Sequence, residues 1–120
     1  MKKNLKASAS FHDWEIRELR KDREFALELL RAALESLEDP EERGGGLLSL
    51  RALAEAYGGL AKVAAQAGIS RESLYRSLSP KGNPTLKTLI AVVNAVGLRL
   101  TVVEAKRVKR PKARDVRIAA

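Results

Sequence analysis

Leu60-Ala-Lys-Val-Ala-Ala-Gln-Ala-Gly68-Ile-Ser70-Arg-Glu-Ser-Leu74-Tyr-Arg-Ser-Leu78 is the stretch that decides how this chain is read. Its residues fit two short helices joined by a tight turn. Ala64 and Ala67 are small enough to sit where two steeply crossing helices touch. Gly68 takes a left-handed backbone at no steric cost. Ile69 can bury between the helices, and Ser70 is a suitable N-cap whose hydroxyl accepts from an early backbone N–H. Leu74 and Leu78, four residues apart, share one helical face and point to the core. Arg71, Glu72, Tyr75 and Arg76 then face outward, the positions that reach base edges and phosphates on a DNA-reading helix. The spacing predicts a helix-turn-helix. An ordinary helical hairpin shares the same small residues, glycine and polar cap, so the surroundings have to carry part of the argument.

Those surroundings are basic on one side and acidic on the other. The formal net charge is +8. Residues 11–57 hold 7 Lys/Arg against 12 Asp/Glu, residues 60–103 hold 6 against 1, and residues 106–117 hold 7 against 1. A basic module suits a polyanion such as DNA, where neutralised phosphates release counterions. An acidic module suits a basic partner or a solvated helical face. The 120 residues allow one compact domain with an extra arm or tail. Apolar residues make up 45% but aromatics only 4%, so the core must come mainly from Leu, Ala, Val and Ile. Leu and Ala are strong helix formers, which favours an all-α fold. No cysteine is present, which excludes disulfides and thiolate metal sites. No apolar run reaches membrane-spanning length, and no signal-peptide pattern follows Met1-Lys2-Lys3. A cytoplasmic protein without a membrane partner is expected.

Residues 1–10 carry Lys2, Lys3 and Lys6 and read as a mobile arm. Asp13 to Leu19 is expected to form a short turn of helix anchored by Trp14 and Ile16. Asp22 reads as an N-cap, after which Phe25, Ala26, Leu29, Leu30, Ala33, Leu34 and Leu37 recur at helical spacing. Asp39-Pro40-Glu41-Glu42 is a restart signal with proline at the first helical position. Gly44-Gly45-Gly46 argues that this restart is short or frayed. A second amphipathic helix follows on Leu47, Leu50, Leu53, Ala54 and Tyr57, and Gly58-Gly59 ends it. After the opening stretch, Ser79-Pro80-Lys81-Gly82-Asn83-Pro84 is a loop by every local rule. Thr85 caps a helix with Leu86, Leu89, Ile90, Val93 and Val96, which stops at Gly97. Leu98 to Val103 switches to period two with β-branched residues and predicts a strand, whose open edge could pair with its copy or with another protein. The basic stretch from Lys106 to Ala120 contains Pro111 and reads as disordered.

At this point a family resemblance becomes visible. Gly58-Gly59-Leu60-Ala61-Lys62, Ala67 to Tyr75, Leu78 to Leu86 with its Gly-Asn-Pro loop, and Val96-Gly97-Leu98-Arg99-Leu100 closely resemble the addiction-module antidote proteins, antitoxins with a Cro/repressor-type helix-turn-helix. The resemblance is strong over about residues 58–103 and weaker over 22–38. The basic tail has no counterpart, and the triple glycine looks like a small insertion. Ser77 stands where such repressors often carry an apolar residue, a role Leu78 is expected to fill. The resemblance implies an all-α, five-helix-type Cro/repressor-like domain with a C-terminal β-strand and preceding amphipathic helices. It also implies a type II antitoxin that neutralises a small basic toxin of the RelE/ParE type, and that binds its own promoter as a homodimer and represses it. The expected organisation is a flexible arm (1–10), an acidic helical region with a possible toxin contact (11–57), a helix-turn-helix region with its strand (58–104) and a basic tail (105–120).

For DNA contact, Arg71 and Arg76 lead, since arginine pairs bidentately with guanine or clamps a phosphate. Glu72 either accepts from a cytosine amine or only favours the helix dipole. Tyr75 either touches a phosphate or thymine methyl, or packs against the next helix. Ser70 and Ser73 are candidate phosphate donors, although capping alone explains Ser70. Lys81, Asn83, Thr85 and Lys87 cluster at a loop and a helix N-terminus, a favourable place for phosphate. Lys62 adds a backbone contact from the first helix. Trp14 and Phe11 either pack on the protein's own helices or meet a partner. Ser10, His12 and Asp13 are adjacent in sequence without the convergent geometry a triad needs. His12 is the lone histidine, and neither glycine cluster carries the Lys-Ser/Thr of a phosphate loop. Neither an enzyme nor a cofactor is expected. The alternatives are a stand-alone Cro/repressor-type regulator without a toxin, a protein that only sequesters a basic partner, and a nonspecific nucleic-acid binder driven by its tail.

Overall fold

Six helices account for the secondary structure of the computed structural model, which describes residues 2–105, with side chains from His12 onward. They are α1 (Lys2–Lys21), α2 (Arg23–Ser36), α3 (Arg43–Ala56), α4 (Leu60–Ala67), α5 (Arg71–Ser77) and α6 (Leu86–Ala95). The local chemistry read from the sequence sets most of their ends. Asp22, Ser70 and Thr85 are N-caps, each accepting from the backbone N–H three residues on: Phe25, Ser73 and Thr88. Gly68 closes α4 at φ 74°, while Gly68 N–H donates to Ala65 C=O and Ile69 N–H to Ala64 C=O. That pair of bonds satisfies two carbonyls which the end of a helix otherwise leaves open. Gly97 repeats the arrangement after α6, with Leu98 N–H reaching back to Val93 C=O.

The helices form two groups bridged by α3. The first is α1, α2 and α3, each packed on the others; in the second, α4 packs on both α5 and α6. α3 also touches α4 and α6, so it belongs to both groups. One apolar core runs through them, from Ile16 and Leu19 through Leu30, Leu47, Leu50 and Leu53 to Val63, Leu74, Leu78, Val92 and Val96. Tyr57, at the end of α3, donates to Leu19 C=O at 2.8 Å, and Arg20 Nε donates to Ala56 C=O at 3.1 Å. The ends of α1 and α3 thus satisfy each other's polar groups.

Several expectations are corrected here. Lys2–Ser10 is helix rather than a mobile arm, and the short turn expected at Asp13–Leu19 is the second half of that same helix. Residues 2–21 contain no glycine or proline to break it, and Ile16 and Leu19 bury on the core. Pro40 is not the first residue of a helix. Asp39 to Glu42 form a turn in which the Asp39 carboxylate accepts from Glu41 N–H, and α3 starts at Arg43. The triple glycine does not fray the helix but lies inside it, because two of its members are packing sites. A Cβ on Gly46 would overlap Ser36 Oγ of α2, and one on Gly44 would press on Pro80 at 3.3 Å. Residues 58–104 hold three helices, too few for a five-helix domain with further helices before it.

The predicted strand at Leu98–Val103 is absent. Beyond Leu98, no backbone group up to Ala105 has a hydrogen-bond partner among the described residues, and no second strand is there to pair with it. Period two marks a segment able to pair, but a strand exists only with its ladder. The expected basic tail lies, from Lys106 on, outside the described residues.

Candidate nucleic-acid interface

α5 is short because its job in the fold is light. It buries one side chain, Leu74, with Leu78 buried just beyond its end, and leaves the opposite face to solvent. Leu78 fills the apolar role that Ser77 does not; the Ser77 hydroxyl instead donates to Leu74 C=O at 2.9 Å. On the outer face, Arg71, Glu72, Tyr75 and Arg76 line one side of a groove of about 630 Å³, closed on its other side by Glu55, Gly59 and Leu60. The groove carries charges of both signs, two guanidinium groups and two carboxylates.

The candidate contacts differ in how far the protein itself already engages them. Arg71 has no hydrogen-bond or ion-pair partner among the described residues, and Arg76 reaches only Ser73 Oγ at 3.5 Å. Ser70 Oγ accepts from Ser73 N–H and donates to Ser73 Oγ, both at 3.0 Å, so capping uses both hydroxyls. Tyr75 is 49% exposed, and the Arg51 guanidinium of α3 lies 4.0 Å above its ring centre. Asn83 Oδ1 accepts from Arg43 at 3.0 Å, which ties the loop after α5 to the start of α3. Thr85 caps α6 and is exposed, as is Lys81. Lys87 reaches back towards the turn; a Cβ on Gly68 would lie 3.1 Å from its ammonium. There it stands at the C-terminus of α4, where the helix dipole favours a cation. The Lys62 stem runs beside Gly58.

Two arginines that position this surface were not singled out in the sequence. Arg51 Nη1 donates to Ser79 Oγ at 3.3 Å while its plane covers Tyr75, so it holds the end of α5. Arg43 donates to Leu37 C=O, to Gly82 C=O and to Asn83. Gly82 is forced by the closeness of this loop to α5, since a Cβ there would collide with Ser77 C=O. Charge was the only signal in the sequence: Arg43 and Arg51 are the two cations of residues 38–57.

Ion pairing divides the chain in the same way as net charge. His12 pairs with Glu55, Lys21 with Glu18 and Arg31 with Glu28. Among the described residues from Leu60 onward no ion pair forms, so Lys62, Arg71, Arg76, Lys81 and Lys87 carry uncompensated charge. Trp14 is half-exposed on α1, and the side chain of Phe11 lies outside the described ones. Among the described residues no helix is long and apolar enough to cross a membrane.

A 47-residue stretch is 43% identical to an uncharacterized protein of Haemophilus influenzae, covering 39% of this chain and 48% of that protein. The chain thus spans about half the length of this curated relative. No solved structure matches. Residues 11–104, from α1 through the extended segment after α6, match the family described as "Probable addiction module antidote protein". With that match covering most of its length, the chain belongs to the addiction module antidote family, the antitoxins.

Proposed function

We propose that this antitoxin binds the DNA of its own promoter through α5 and neutralises a small basic toxin of the RelE/ParE type. The observation that carries the DNA half is the outer face of α5. A Ser70-capped helix, set on α4 by a glycine turn, presents Arg71 without a partner and Arg76 nearly so, in a region with no internal ion pair. An arginine left unpaired on a rigid helix is prepared to meet guanine or phosphate. Lys62, Lys81 and Lys87 add cations around it, and the hydroxyls of Ser70, Ser73 and Thr85 and the Asn83 amide lie at helix starts or in the adjoining loop. The family supplies the expectation of a toxin, and the acidic residues exposed on α2, Glu24, Glu28 and Glu35, supply a surface of the opposite sign to a basic partner. Repression follows from occupancy of the promoter. A homodimer addresses two half-sites about 34 Å apart, one turn of DNA. The role is binding, without catalysis.

The test is co-expression with the adjacent small reading frame, one partner tagged, together with gel-shift titration of the upstream DNA. Growth arrest by the neighbour alone, its rescue and co-purification by this chain, and operator binding support the reading. Specific DNA binding without any partner would leave a stand-alone repressor. Partner binding without sequence preference on DNA would leave a sequestering protein.

A further inference from the structure

Of the large apolar side chains exposed among the described residues, a concentration falls at the end of the fold. Leu98 is 37% exposed, Leu100 41%, Val102 92% and Val103 80%, while Leu86 and Ile90 are 63% and 37% exposed one turn apart on α6. The segment leaves α6 directly, anchored by the Leu98 N–H to Val93 C=O bond, and then runs on with its backbone groups unpaired. Exposed apolar side chains in period two beside an open backbone describe one half of a β-ladder.

We propose that residues 98–103 pair antiparallel with the same segment of a second copy, about a two-fold axis at Thr101. This deepens the dimeric reading above and rests on it. The register follows from self-complementarity. A two-fold axis perpendicular to the ribbon places Thr101 opposite its own copy, Leu100 opposite Val102, and Arg99 opposite Val103. Leu98, Leu100 and Val102 of both copies then form one apolar face. Thr101 and Arg99 lie on the other, where the arginine stem can cover Val103. Antiparallel pairing also sends the two basic continuations, with their 7 Lys/Arg against 1 Asp/Glu, to opposite ends of the ribbon. Parallel pairing would set like charges side by side. Covering the four segment residues together with Leu86 and Ile90 in both copies removes roughly 1,000 Å² of surface, the size at which specific interfaces begin. The ribbon supplies the partner that the predicted strand lacks within one chain.

The chain has no cysteine, so single cysteines test the register directly. Thr101→Cys brings two thiols across the ribbon within disulfide reach. Arg99→Cys and Val103→Cys leave each thiol about 13 Å from its own copy, out of reach. In the full chain under mild oxidation, linked dimer is expected to form at least about tenfold faster at 101 than at 99 or 103, in line with those separations. Equal rates at the three positions, or no linked dimer at 101, overturn the ribbon. Sedimentation of the unmodified chain separates the two readings. A dimer with a flat cysteine profile keeps the dimeric reading and overturns this interface; a monomer at operator-binding concentrations overturns both. Thiols at 99–103 shielded by a co-purifying neighbour, without self-linkage, would assign the segment to that neighbour and overturn the proposal.

Discussion

α3 and α5 each carry two arginines, and the two pairs have opposite fates. On α3, Arg43 and Arg51 turn inward to the protein, bonding the loop after α5 and covering Tyr75. On α5, Arg71 and Arg76 face solvent almost without partners. The helices differ in seating: α3 buries seven of its fourteen residues and touches four other helices, whereas α5 buries one of seven and rests on α4. The same side chain becomes a strut where neighbours surround it and a probe where they do not. α3 acts as the scaffold that fixes where α5 sits.

The largest expected effect strikes the joint between the two helices. Gly82→Ala would drive a Cβ into the Ser77 and Arg76 carbonyls at the end of α5, backbone atoms that cannot yield as a side-chain tip can. A loss of about 2–3 kcal/mol is expected, read as a drop in the urea midpoint. An unchanged midpoint would mean that the loop is not held against α5, and the scaffold argument would fail with it.

Next comes the probe side. Arg71→Ala is expected to cost about 1–3 kcal/mol in operator affinity, less on random DNA, and to leave stability within about 0.5 kcal/mol. Gel-shift titration on both sequences at two salt concentrations checks it. An equal loss on both DNAs, with a salt slope shallower by about one, would reduce Arg71 to a phosphate contact. Lost stability instead would make it a strut, like the arginines of α3.

Arg51→Ala is expected to do what Arg71→Ala does not. Removing the guanidinium from Tyr75 and from Ser79 should lower stability by about 1 kcal/mol, seen in thermal or urea unfolding. Arg51→Lys should recover only part of this, because an ammonium keeps the charge but loses the planar cover of the ring. Full rescue by lysine would show that charge alone, and not the stack, holds the end of α5.

How much of this was legible in the sequence follows from the range of the forces. Caps at Asp22, Ser70 and Thr85, the turn at Gly68 and the buried pair Leu74 and Leu78 depend on neighbours within a few residues, and the structure has them where local chemistry puts them. The length of α1, the seating of Gly44 and Gly46, and the strut arginines depend on contacts from distant parts of the chain. Pro80 lies 36 residues from Gly44 and Asn83 forty from Arg43, and no local pattern announces such meetings. The strand failed for a related reason. Its alternation is a local signal, but a ladder needs a second strand, and the described chain offers none.

The smallest effect tests the scaffold from its open side. Glycine inside a helix costs about 0.5–1 kcal/mol relative to alanine, so three in a row need a reason. Gly46 has one in Ser36 and Ala33, and Gly44 in Pro80, but a Cβ on Gly45 would meet nothing within 4 Å. Gly45→Ala is therefore expected to stabilise the protein by about 0.5–1 kcal/mol through a less free unfolded chain, while Gly46→Ala, against α2, destabilises it. Unfolding curves of the two single variants set the signs side by side. If both lower stability, α3 needs flexibility at its start rather than close contact, and the seating that separates it from α5 would have to be sought elsewhere along the helix. Opposite signs would show that two sides of one helical turn serve different neighbours, with the third side left open to water.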